Sequence, residues 1–330
     1  SYNTFRSSNE RTIVNAKNLT EPHSPCITVL GSINMDLVVR CKALPLAGQT
    51  LLAQSSSESC GGKGANQAVA AALSGGDVSM LGAVGDDAFA TRLINNLRMH
   101  GVNCDSTIQL DGVASGLAII AVDLSGQNSI MVVPGANSKF SKSSVQAAET
   151  LIKGSDCLMI QLETPMESVL EGIRLARRYG VRVILDPAPA PSEIVPSLLQ
   201  VDLICPNETE ASDLTQLPVT NAKEAKAAAK QLQDLGAKNV VITMGSEGAV
   251  LRQGDTTTLI PPIPVDAIDT TAAGDAFAGA LAVRWSQTNN LLNAVRYANA
   301  AGAIAASRAG AQTSIATQKE IEANNEIHLK

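Results

Sequence analysis

The chain has 330 residues, 45% of them hydrophobic, which fits one large α/β domain or two ordinary domains with a sizeable core. A net charge of −6 argues against the basic surface that nucleic-acid binding requires. Six scattered cysteines without a CxxC pair argue against a disulfide framework and a structural zinc site, and no uncharged run reaches the roughly 20 residues of a membrane-spanning helix.

The first part of the chain, residues 1–24, is polar and shows no clear periodicity. It is predicted to be a flexible N-terminal tail or the remnant of a targeting segment, because organelle transit segments are rich in serine and arginine. With cysteines that are expected to be reduced, this predicts an intracellular protein of the plastid stroma or the cytoplasm. No membrane and no nucleic-acid partner are expected.

From residue 25 onward, short apolar runs alternate with alanine-rich helical stretches. Strands are predicted at 26–31, 78–84, 116–123, 129–133, 156–162, 181–185, 201–204 and 240–243, and helices at 64–73, 87–99, 166–179, 222–235, 273–286 and 291–307. Strands that alternate with helices predict a mostly parallel sheet covered by helices on both faces, an α/β fold in one core domain.

Two segments break this alternation. Residues 37–60 have β-like character without a helix, and residues 113–134 contain a predicted hairpin. The two segments could form a small separate sheet over the main one. Such a sheet is either an active-site lid or an ordinary surface sheet, and the pattern alone does not decide between them.

The stretch at 268–277, IDTTAAGDAF, predicts an anion site at the start of a helix. Small residues let a ligand approach the backbone, and the first N–H groups of a helix have no intrahelical partners. Asp275 lies in this first turn. Its carboxylate either complements the helix dipole or acts as a general base toward a hydroxyl that attacks phosphorus.

Two polar motifs near the N-terminus have the residue types of a sugar site. Asn34 and Asp36 are two apart on a predicted strand, so they share one face, and an amide beside a carboxylate suits vicinal hydroxyls. In GGKGAN, Gly62 permits close backbone approach, and Lys63 and Asn66 lie on one helical face. Each motif alone also fits a polar strand end or a tight turn, and the second lacks P-loop spacing.

Further polar clusters follow predicted strands. Glu163 follows the strand at 156–162, the residues NETE at 207–210 follow 201–204, and TMGSEG at 243–248 follows 240–243. Ligands of open parallel sheets bind beyond the carboxyl ends of the strands. The clusters therefore predict one binding edge rather than three unrelated turns.

From about residue 27 to 314, these motifs resemble the ribokinase-like carbohydrate kinases. GGKGAN and DTTAAGDAF are similar to that family's two signature regions, in the same order and about 210 residues apart. GSINMD, QLETP, DPAPAP, PNETEA and RAGAQTS resemble members that phosphorylate D-ribose at its 5-hydroxyl. The resemblance implies a three-layer α/β/α kinase domain over 25–330, with a β-sheet lid at 37–60 and 113–134, and a homodimer formed through the lid.

The resemblance also implies roles for single residues. Asp275 would be the catalytic base, and Ala272, Ala273 and Gly274 would offer N–H groups to the phosphoryl group. Ribose would be held by Asn34, Asp36, Gly62, Lys63, Asn66, Glu163 and Asp275. The ATP site would be lined by Asn207, Thr243, Gly245, Gly248 and Asn299, and Glu210 would help to position Mg²⁺ through a water molecule. A monovalent cation, usually K⁺, would be held by Asp269, Thr271, Ala305, Arg308, Gly310 and Ser314.

Two residues depart from the family pattern. Ala272 stands where glycine is common, which still leaves its N–H free. Asp186 stands where asparagine is expected, and the added charge leaves the role of the DPAPAP segment open.

Other functions of the same fold stay possible. Fructose, adenosine and pseudouridine are alternative acceptors, whereas Asp36 and Glu163 would repel a sugar acid and an aromatic content of 2% offers little surface for a base. An inactive paralogue that senses sugar would lack the base or the anion site, and Asp275 and Gly274 are both present. A Rossmann dehydrogenase is disfavoured because no GxGxxG follows the first strand.

Overall fold

The computed structural model describes residues 24–328. The predicted tail at 1–24 lies outside this range except for its last residue, and it stays a prediction. Among the helices of 24–328, none is both long enough and apolar enough to cross a bilayer.

The described chain alternates strands and helices over most of its length. The strands are β1 Cys26–Leu30, β2 Asn34–Arg40, β3 Ser55–Gly61, β4 Asp77–Leu81, β5 Ala83–Val84, β6 Val102–Asn103, β7 Ile108–Gln109, β8 Gly116–Val122, β9 Asn128–Val133, β10 Cys157–Ile160, β11 Arg182–Leu185, β12 Leu203–Ile204, β13 Asn239–Thr243, β14 Ala249–Gln253 and β15 Thr256–Ile260. The α-helices are α1 Lys63–Leu73, α2 Ala88–Met99, α3 Lys142–Ala147, α4 Glu149–Lys153, α5 Met166–Tyr179, α6 Glu208–Thr215, α7 Ala222–Asp234, α8 Ala273–Thr288, α9 Leu291–Ala306 and α10 Gln318–His328.

The main sheet has nine strands in the order β15-β14-β13-β12-β11-β10-β1-β4-β6. All neighbours are parallel from β6 to β13, and β14 and β15 add an antiparallel edge. Chain order runs outward from β1 in both directions, which makes the carboxyl end of β1 a switch point where a crevice opens.

Helices cover both faces of this sheet and form two cores. Along β10, Met159 belongs to the core under α1, α2, α8 and α9, whereas Leu158 and Ile160 belong to the core under α5 and α7. This alternation is what a strand buried on both faces produces. The predicted three-layer α/β/α fold with a mostly parallel sheet is confirmed.

Helices α1 and α8 lie in direct backbone contact. A Cβ on Gly279 of α8 would lie 2.7 Å from the backbone nitrogen of Ala71 in α1. Only glycine permits this approach, which lies one to two turns beyond the first turns of the two helices. Those first turns carry most of the site described below.

A separate small sheet has the order β3-β2-β8-β9, with β2 and β8 parallel and both outer pairs antiparallel. Its strands come from the two segments that break the alternation, although β2 begins earlier, at Asn34. We call these four strands the small sheet. Strand β9 is exposed along its whole length, including Ile130, Met131, Val132 and Val133.

Several element predictions were wrong or incomplete. The strand predicted at 78–84 is divided into β4 and β5, and β5 pairs with β7 instead of the main sheet. The division falls at Gly82, where a Cβ would lie 2.6 Å from the Gly31 carbonyl oxygen. No element was predicted for the β14–β15 hairpin or for α3, α4, α6 and α10.

Candidate active site

Asp275 is buried in the first turn of α8, and both of its carboxylate oxygens accept hydrogen bonds from α1. Asn66 Nδ2 donates to Oδ2 at 2.9 Å, and Gln67 Nε2 donates to Oδ1 at 3.1 Å. Burial raises the pKa of Asp275, against the opposing influence of the Lys63 ammonium and the two amides. Each oxygen keeps a second lone pair for another donor. The group is thus a carboxylate of fixed orientation that can still accept a proton.

The helix start beside Asp275 is open. Ala272 is the N-cap of α8 and provides no capping side chain. A Cβ built on Gly274 meets no atom within 4 Å, so free space adjoins this turn. First-turn N–H groups and the helix dipole favour an anion at such a position. Of the predicted anion-site residues, Gly274 adjoins this free space next to Asp275, whereas Ala272 is buried and the Ala273 N–H donates to the Thr270 carbonyl oxygen at 3.2 Å.

Asn34 and Asp36 lie on β2, buried and on the same face. Burial, with the nearby Glu163 and Asp275 carboxylates, raises the pKa of Asp36 to about 7. Asn137 Nδ2 donates to Asn34 Oδ1 at 2.7 Å, which leaves the Asn34 amide nitrogen as its free donor. A donor and an acceptor are thus presented side by side.

The chain between β3 and α1 approaches β2 closely. Gly62 has a φ of 92°, and a Cβ there would lie 2.7 Å from the backbone nitrogen of Asn34, so the position requires glycine. The next residue, Lys63, begins α1. Burial lowers the pKa of Lys63, but the surrounding carboxylates outweigh burial and raise it overall. The Lys63 side chain therefore stays protonated and positively charged.

Glu163 follows β10 and meets the start of α1. It accepts hydrogen bonds from Ser32 Oγ and, at 3.4 Å, from the backbone nitrogen of Lys63. Only Oε2 is used in these two bonds, which leaves Oε1 for a further donor. The carboxylate therefore complements a helix N-terminus and still faces the group formed by Asp36 and Asp275.

A cleft of about 600 Å³ extends from Asp275 along the carboxyl ends of the main-sheet strands. It is lined by Lys63, Asp186, Cys205, Asn207, Glu210, Thr243, Thr270, Thr271, Gly274, Asp275, Phe277 and Ala278. Three of the residues predicted for ATP and Mg²⁺ therefore line the cleft, namely Asn207, Thr243 and Glu210.

The remaining nucleotide-site predictions lie around this cleft rather than in its lining. Gly245 and Gly248 bracket the turn after β13, with positive φ of 49° and 88°. A Cβ on Gly248 would lie 2.1 Å from the carbonyl oxygen of Ile260. Asn299 of α9 donates to the carbonyl oxygen of Pro261 at 2.9 Å. Gly248 and Asn299 therefore contact the chain at the end of β15, whereas Gly245 belongs to the turn after β13.

Asn207 and Glu210 form a capping box at the start of α6. The Asn207 side chain accepts from the Glu210 nitrogen at 2.8 Å, and Glu210 Oε2 accepts from the Asn207 nitrogen at 2.9 Å. One Glu210 oxygen remains for other partners. The motif is therefore structural in the described chain, and it presents Glu210 to the cleft.

The residues predicted for a monovalent cation belong to two segments that hydrogen bonds join. Asp269 Oδ2 accepts from the Gly310 nitrogen at 3.0 Å, and Oδ1 accepts from the Thr271 nitrogen at 3.0 Å. Burial raises the pKa of Asp269, but these bonds outweigh burial and lower it overall. The guanidinium of Arg308 is itself a cation without an acceptor atom and bonds Glu320 at 2.7 Å, so only the carbonyl oxygen of Arg308 can be a cation ligand. Ala305 and Ser314 are buried at the two ends of the second segment.

Sequence reasoning missed a buried network of side-chain amides behind the site. Gln67, Gln161 and Gln312 carry it, and Asp186 takes part through Gln67. Asn137 is a separate buried amide that bonds Asn34. Gln67 stands in the GGKGANQ motif, so its position beside Asn66 was a usable signal. Gln161 and Gln312 also stand in quoted motifs, QLETP and RAGAQTS, whereas Asn137 lies outside them.

This geometry can be compared with known proteins. Residues 25–318 match the pfkB family of carbohydrate kinases. The chain belongs to this family. The resemblance seen in the motifs is therefore confirmed, and the protein is a kinase of the ribokinase-like group.

Among its family relatives, a ribokinase of Haemophilus influenzae is 39% identical over 294 residues, which cover 89% of this chain and 96% of the relative. A deoxyribokinase of Salmonella typhi is 38% identical over 289 residues, 87% of this chain and 94% of the relative. A bifunctional ribokinase/ribose-5-phosphate isomerase A of Fructilactobacillus sanfranciscensis is 40% identical over 298 residues, 89% of this chain, but the chain spans only 55% of that protein.

A solved structure of the family has the same architecture. Arabidopsis thaliana ribokinase, complexed with ribose and ATP, superposes with a TM-score of 0.85 at 30% identity, over 92% of this chain and 99% of that one.

Proposed function

We propose that this kinase transfers the γ-phosphoryl group of ATP to the 5-hydroxyl of D-ribose and releases ADP and ribose 5-phosphate. The observation that carries the proposal is the position of Asp275, between the donor–acceptor pair on β2 and the open helix start that adjoins the cleft. Relatives named ribokinase support the choice of sugar.

In the proposed mechanism, one oxygen of Asp275 accepts the proton of the sugar's 5-hydroxyl. The hydroxyl oxygen forms a bond to the γ-phosphorus as the bond between that phosphorus and the bridging oxygen of ADP breaks. Such a transition state needs mostly positioning and neutralisation of charge. The N–H groups of Ala272, Ala273 and Gly274 would face the transferring oxygens, that of Ala273 in place of its bond to the Thr270 carbonyl oxygen, and Lys63 would add positive charge.

The sugar would lie against β2 and α1. Asn34 would donate to one hydroxyl and Asp36 would accept from another, while Asn66 and the free oxygen of Glu163 would reach further hydroxyls. The glycine backbone at 62 would allow the ring to approach. This arrangement explains why both helix starts and the small sheet must meet at one point.

Two cations are implied by the family resemblance, and the residues fit both. Glu210 has an unused carboxylate oxygen beside the cleft, which suits a hydrated Mg²⁺ that would neutralise phosphate charge. Asp269 and carbonyls at the end of α9 offer the hard oxygen ligands that a monovalent cation requires. Neither cation is needed to place Asp275, whose two hydrogen bonds come from α1.

A second candidate acceptor is 2-deoxy-D-ribose, favoured by the deoxyribokinase relative. The two sugars differ by one hydroxyl. If the pair Asn34 and Asp36 contacts the 2-hydroxyl, its loss leaves buried polar groups unpaired, which costs about 1–3 kcal/mol. Ribose should then be preferred by roughly tenfold or more in kcat/KM.

The test is ADP release from ATP with a panel of acceptors: D-ribose, 2-deoxy-D-ribose, D-fructose, adenosine and pseudouridine. We expect the highest kcat/KM for D-ribose, and ribose 5-phosphate as the product by mass spectrometry and comparison with the 1-phosphate. A panel led by fructose or a nucleoside would overturn the substrate. Absence of acceptor-dependent ADP release from every sugar would overturn the kinase function.

A further inference from the structure

Gln67 is almost completely buried and uses every polar atom of its side chain. Its amide nitrogen donates to Asp275 Oδ1 at 3.1 Å and to Asp186 Oδ2 at 2.7 Å. Its amide oxygen accepts from Gln161 Nε2 at 2.6 Å. With 1% of its surface exposed, Gln67 cannot replace these partners with water.

These contacts connect four separate elements. Gln67 belongs to α1, Asp275 begins α8, Gln161 directly follows β10, and Asp186 directly follows β11. The amide thus lies where the carboxyl ends of two neighbouring parallel strands meet two helix N-termini. None of its partners is adjacent to it in sequence, so the arrangement exists only in the folded chain.

The orientation of this amide has one solution. If the amide of Gln67 were reversed, its oxygen would face the carboxyl groups of Asp275 and Asp186, and its nitrogen would face the Gln161 nitrogen. The contacts with ionised Asp275 and with Gln161 would then be repulsive, because a carboxylate only accepts and an amide nitrogen only donates. Asp186 is different, because burial raises its pKa to about 8 and a protonated Asp186 can also donate. The donor from Gln161 therefore fixes the direction in which Gln67 presents its two hydrogens.

The result is a defined rotamer for Asp275. Gln67 and the preceding residue, Asn66, each donate to a different oxygen, so the plane of the carboxylate is set by two points on one rigid helix. Loss of one donor would leave the carboxylate free to rotate about its remaining hydrogen bond. A small rotation matters, because a proton acceptor must lie within hydrogen-bond distance of the reacting hydroxyl.

We propose that Gln67 is a positioning residue. It holds the Asp275 carboxylate in the orientation in which that carboxylate can remove the acceptor's proton, and its amide nitrogen connects Asp275 to Asp186. This inference rests on the proposed function of Asp275 as the base. It assigns to Gln67 no contact with sugar or ATP. Its effect belongs to turnover and to the ionisation of Asp275, not to sugar binding.

The main test is Gln67→Met, which keeps the length of the side chain and removes its hydrogen bonds. We expect kcat to fall roughly 10- to 100-fold, since misplacing a reacting group has effects of this size, with less than about a threefold change in the acceptor's KM. The matched control is Gln231→Met, since Gln231 donates one hydrogen bond to the Thr215 carbonyl oxygen and neither residue lines the cleft. The control should keep wild-type kcat.

A pH profile distinguishes positioning from packing. Asp275 is faced by Lys63 from α1, Asp36 from β2, Glu163 after β10 and Asp186 after β11. Gln67→Met neither adds nor removes an ionisable group, although it also takes a hydrogen-bond donor from Asp186. Loss of the donor to Asp275 should shift the acidic limb of kcat/KM to higher pH. A variant that keeps both its turnover within twofold and its acidic limb would overturn the proposal.

A second variant tests the proposal in case the Gln67→Met protein does not fold. Gln161→Met leaves Gln67, Asp186 and Asp275 in place but removes the donor that fixes the Gln67 amide. We expect a smaller fall in kcat, roughly 3- to 10-fold, again with little change in KM. Unchanged kcat here would overturn the proposal as well. All variants are assayed with the best acceptor of wild type, so an error in the sugar assignment would appear in wild type alone.

Discussion

Asp275 must be buried to exclude water from the reaction and yet be ionised to accept a proton. Burial raises its pKa, and two amide donors with the Lys63 charge oppose that rise. Asp275→Asn keeps the size of the side chain and removes its proton affinity. We expect turnover to fall by roughly 10²- to 10⁴-fold with a smaller change in sugar KM, measured by ADP release. Near wild-type turnover would rule out Asp275 as the base.

Asp36 illustrates how a binding group lowers stability. Its pKa is raised from 3.8 to about 7, so its ionised form is disfavoured in the folded state, and the folded protein loses stability as the pH rises from about 4 through 7. Asp36→Asn should therefore raise the free energy of unfolding by about 2–4 kcal/mol at pH 8 and by less at pH 5, while the sugar KM rises.

Urea unfolding at the two pH values measures this effect. Asp87→Asn is the contrasting variant: Asp87 is the N-cap of α2, and hydrogen bonds from Ser115 and the helix start outweigh burial and lower its pKa. The Asp87→Asn substitution should lower the free energy of unfolding at pH 8. Equal changes of Asp36→Asn at both pH values would contradict the shifted ionisation.

Asn137 provides a third case, in which a residue outside the predicted site orients one inside it. Its Nδ2 donates to Asn34 Oδ1 and to the Ile33 carbonyl oxygen, and its Oδ1 accepts from the Ile33 backbone nitrogen. Asn137→Leu should raise the sugar KM about tenfold, equivalent to 1.4 kcal/mol, with little change in kcat. Asn239→Leu is the matched control, because Asn239 is also buried but donates to the Asp202 carbonyl oxygen. If Asn239→Leu raised the sugar KM as much as Asn137→Leu does, general destabilisation would explain the effect.

At the scale of elements, the sequence predicted best where the core dictates the pattern. The helix predicted at 166–179 coincides with α5, whose apolar face and capping Gly180 are both readable. Helix α6 was missed because it is short and polar and because its capping box looks like a loop motif. The β14–β15 hairpin was missed because an antiparallel edge departs from the strand–helix alternation on which the other predictions relied.

The loop before α8 and the end of α9 allow a prediction at the same scale. Ile268 and Asp269 donate their backbone N–H groups to the Ala306 carbonyl oxygen, and Asp269 accepts from Gly310. A cation bound to both segments would fix the loop that presents the helix start to phosphate. We expect K⁺ to raise kcat by roughly fivefold or more, with weaker activation by Na⁺.

The measurement is turnover in tetramethylammonium buffer with KCl added at constant ionic strength. Asp269→Ala should lose activity that K⁺ restores only in part. Glu320→Ala, which removes the partner of Arg308 but no predicted cation ligand, should keep K⁺ activation. A flat response of wild type would exclude the cation site and leave the phosphoryl-transfer proposal intact.

At the scale of the whole molecule, the site exists only because distant segments meet. The residue pairs that define it, such as Asn66 with Asp275 or Asn137 with Asn34, are separated by 209 and 103 positions. Motif resemblance predicted which residues belong to the site. It could not predict which side chains hold them, since amides such as Gln161 and Gln312 are recognisable only through contacts made after folding.

The small sheet supports the last prediction, a homodimer. Along β9, four consecutive apolar residues are exposed by 46–61%, on both faces of an edge strand. Exposed apolar surface on an unpaired edge is a site of association, and here the edge pairs with β8, which pairs with β2, the strand proposed to bind the sugar. We therefore expect a dimer through the small sheet. Ile130→Lys combined with Met131→Lys puts a charge on each face and should give monomers in light scattering, with a raised sugar KM. Leu235→Lys combined with Leu259→Lys places two lysines at similarly exposed positions elsewhere and should remain dimeric. A monomeric wild type, or a β9 variant that stays dimeric, would exclude this interface.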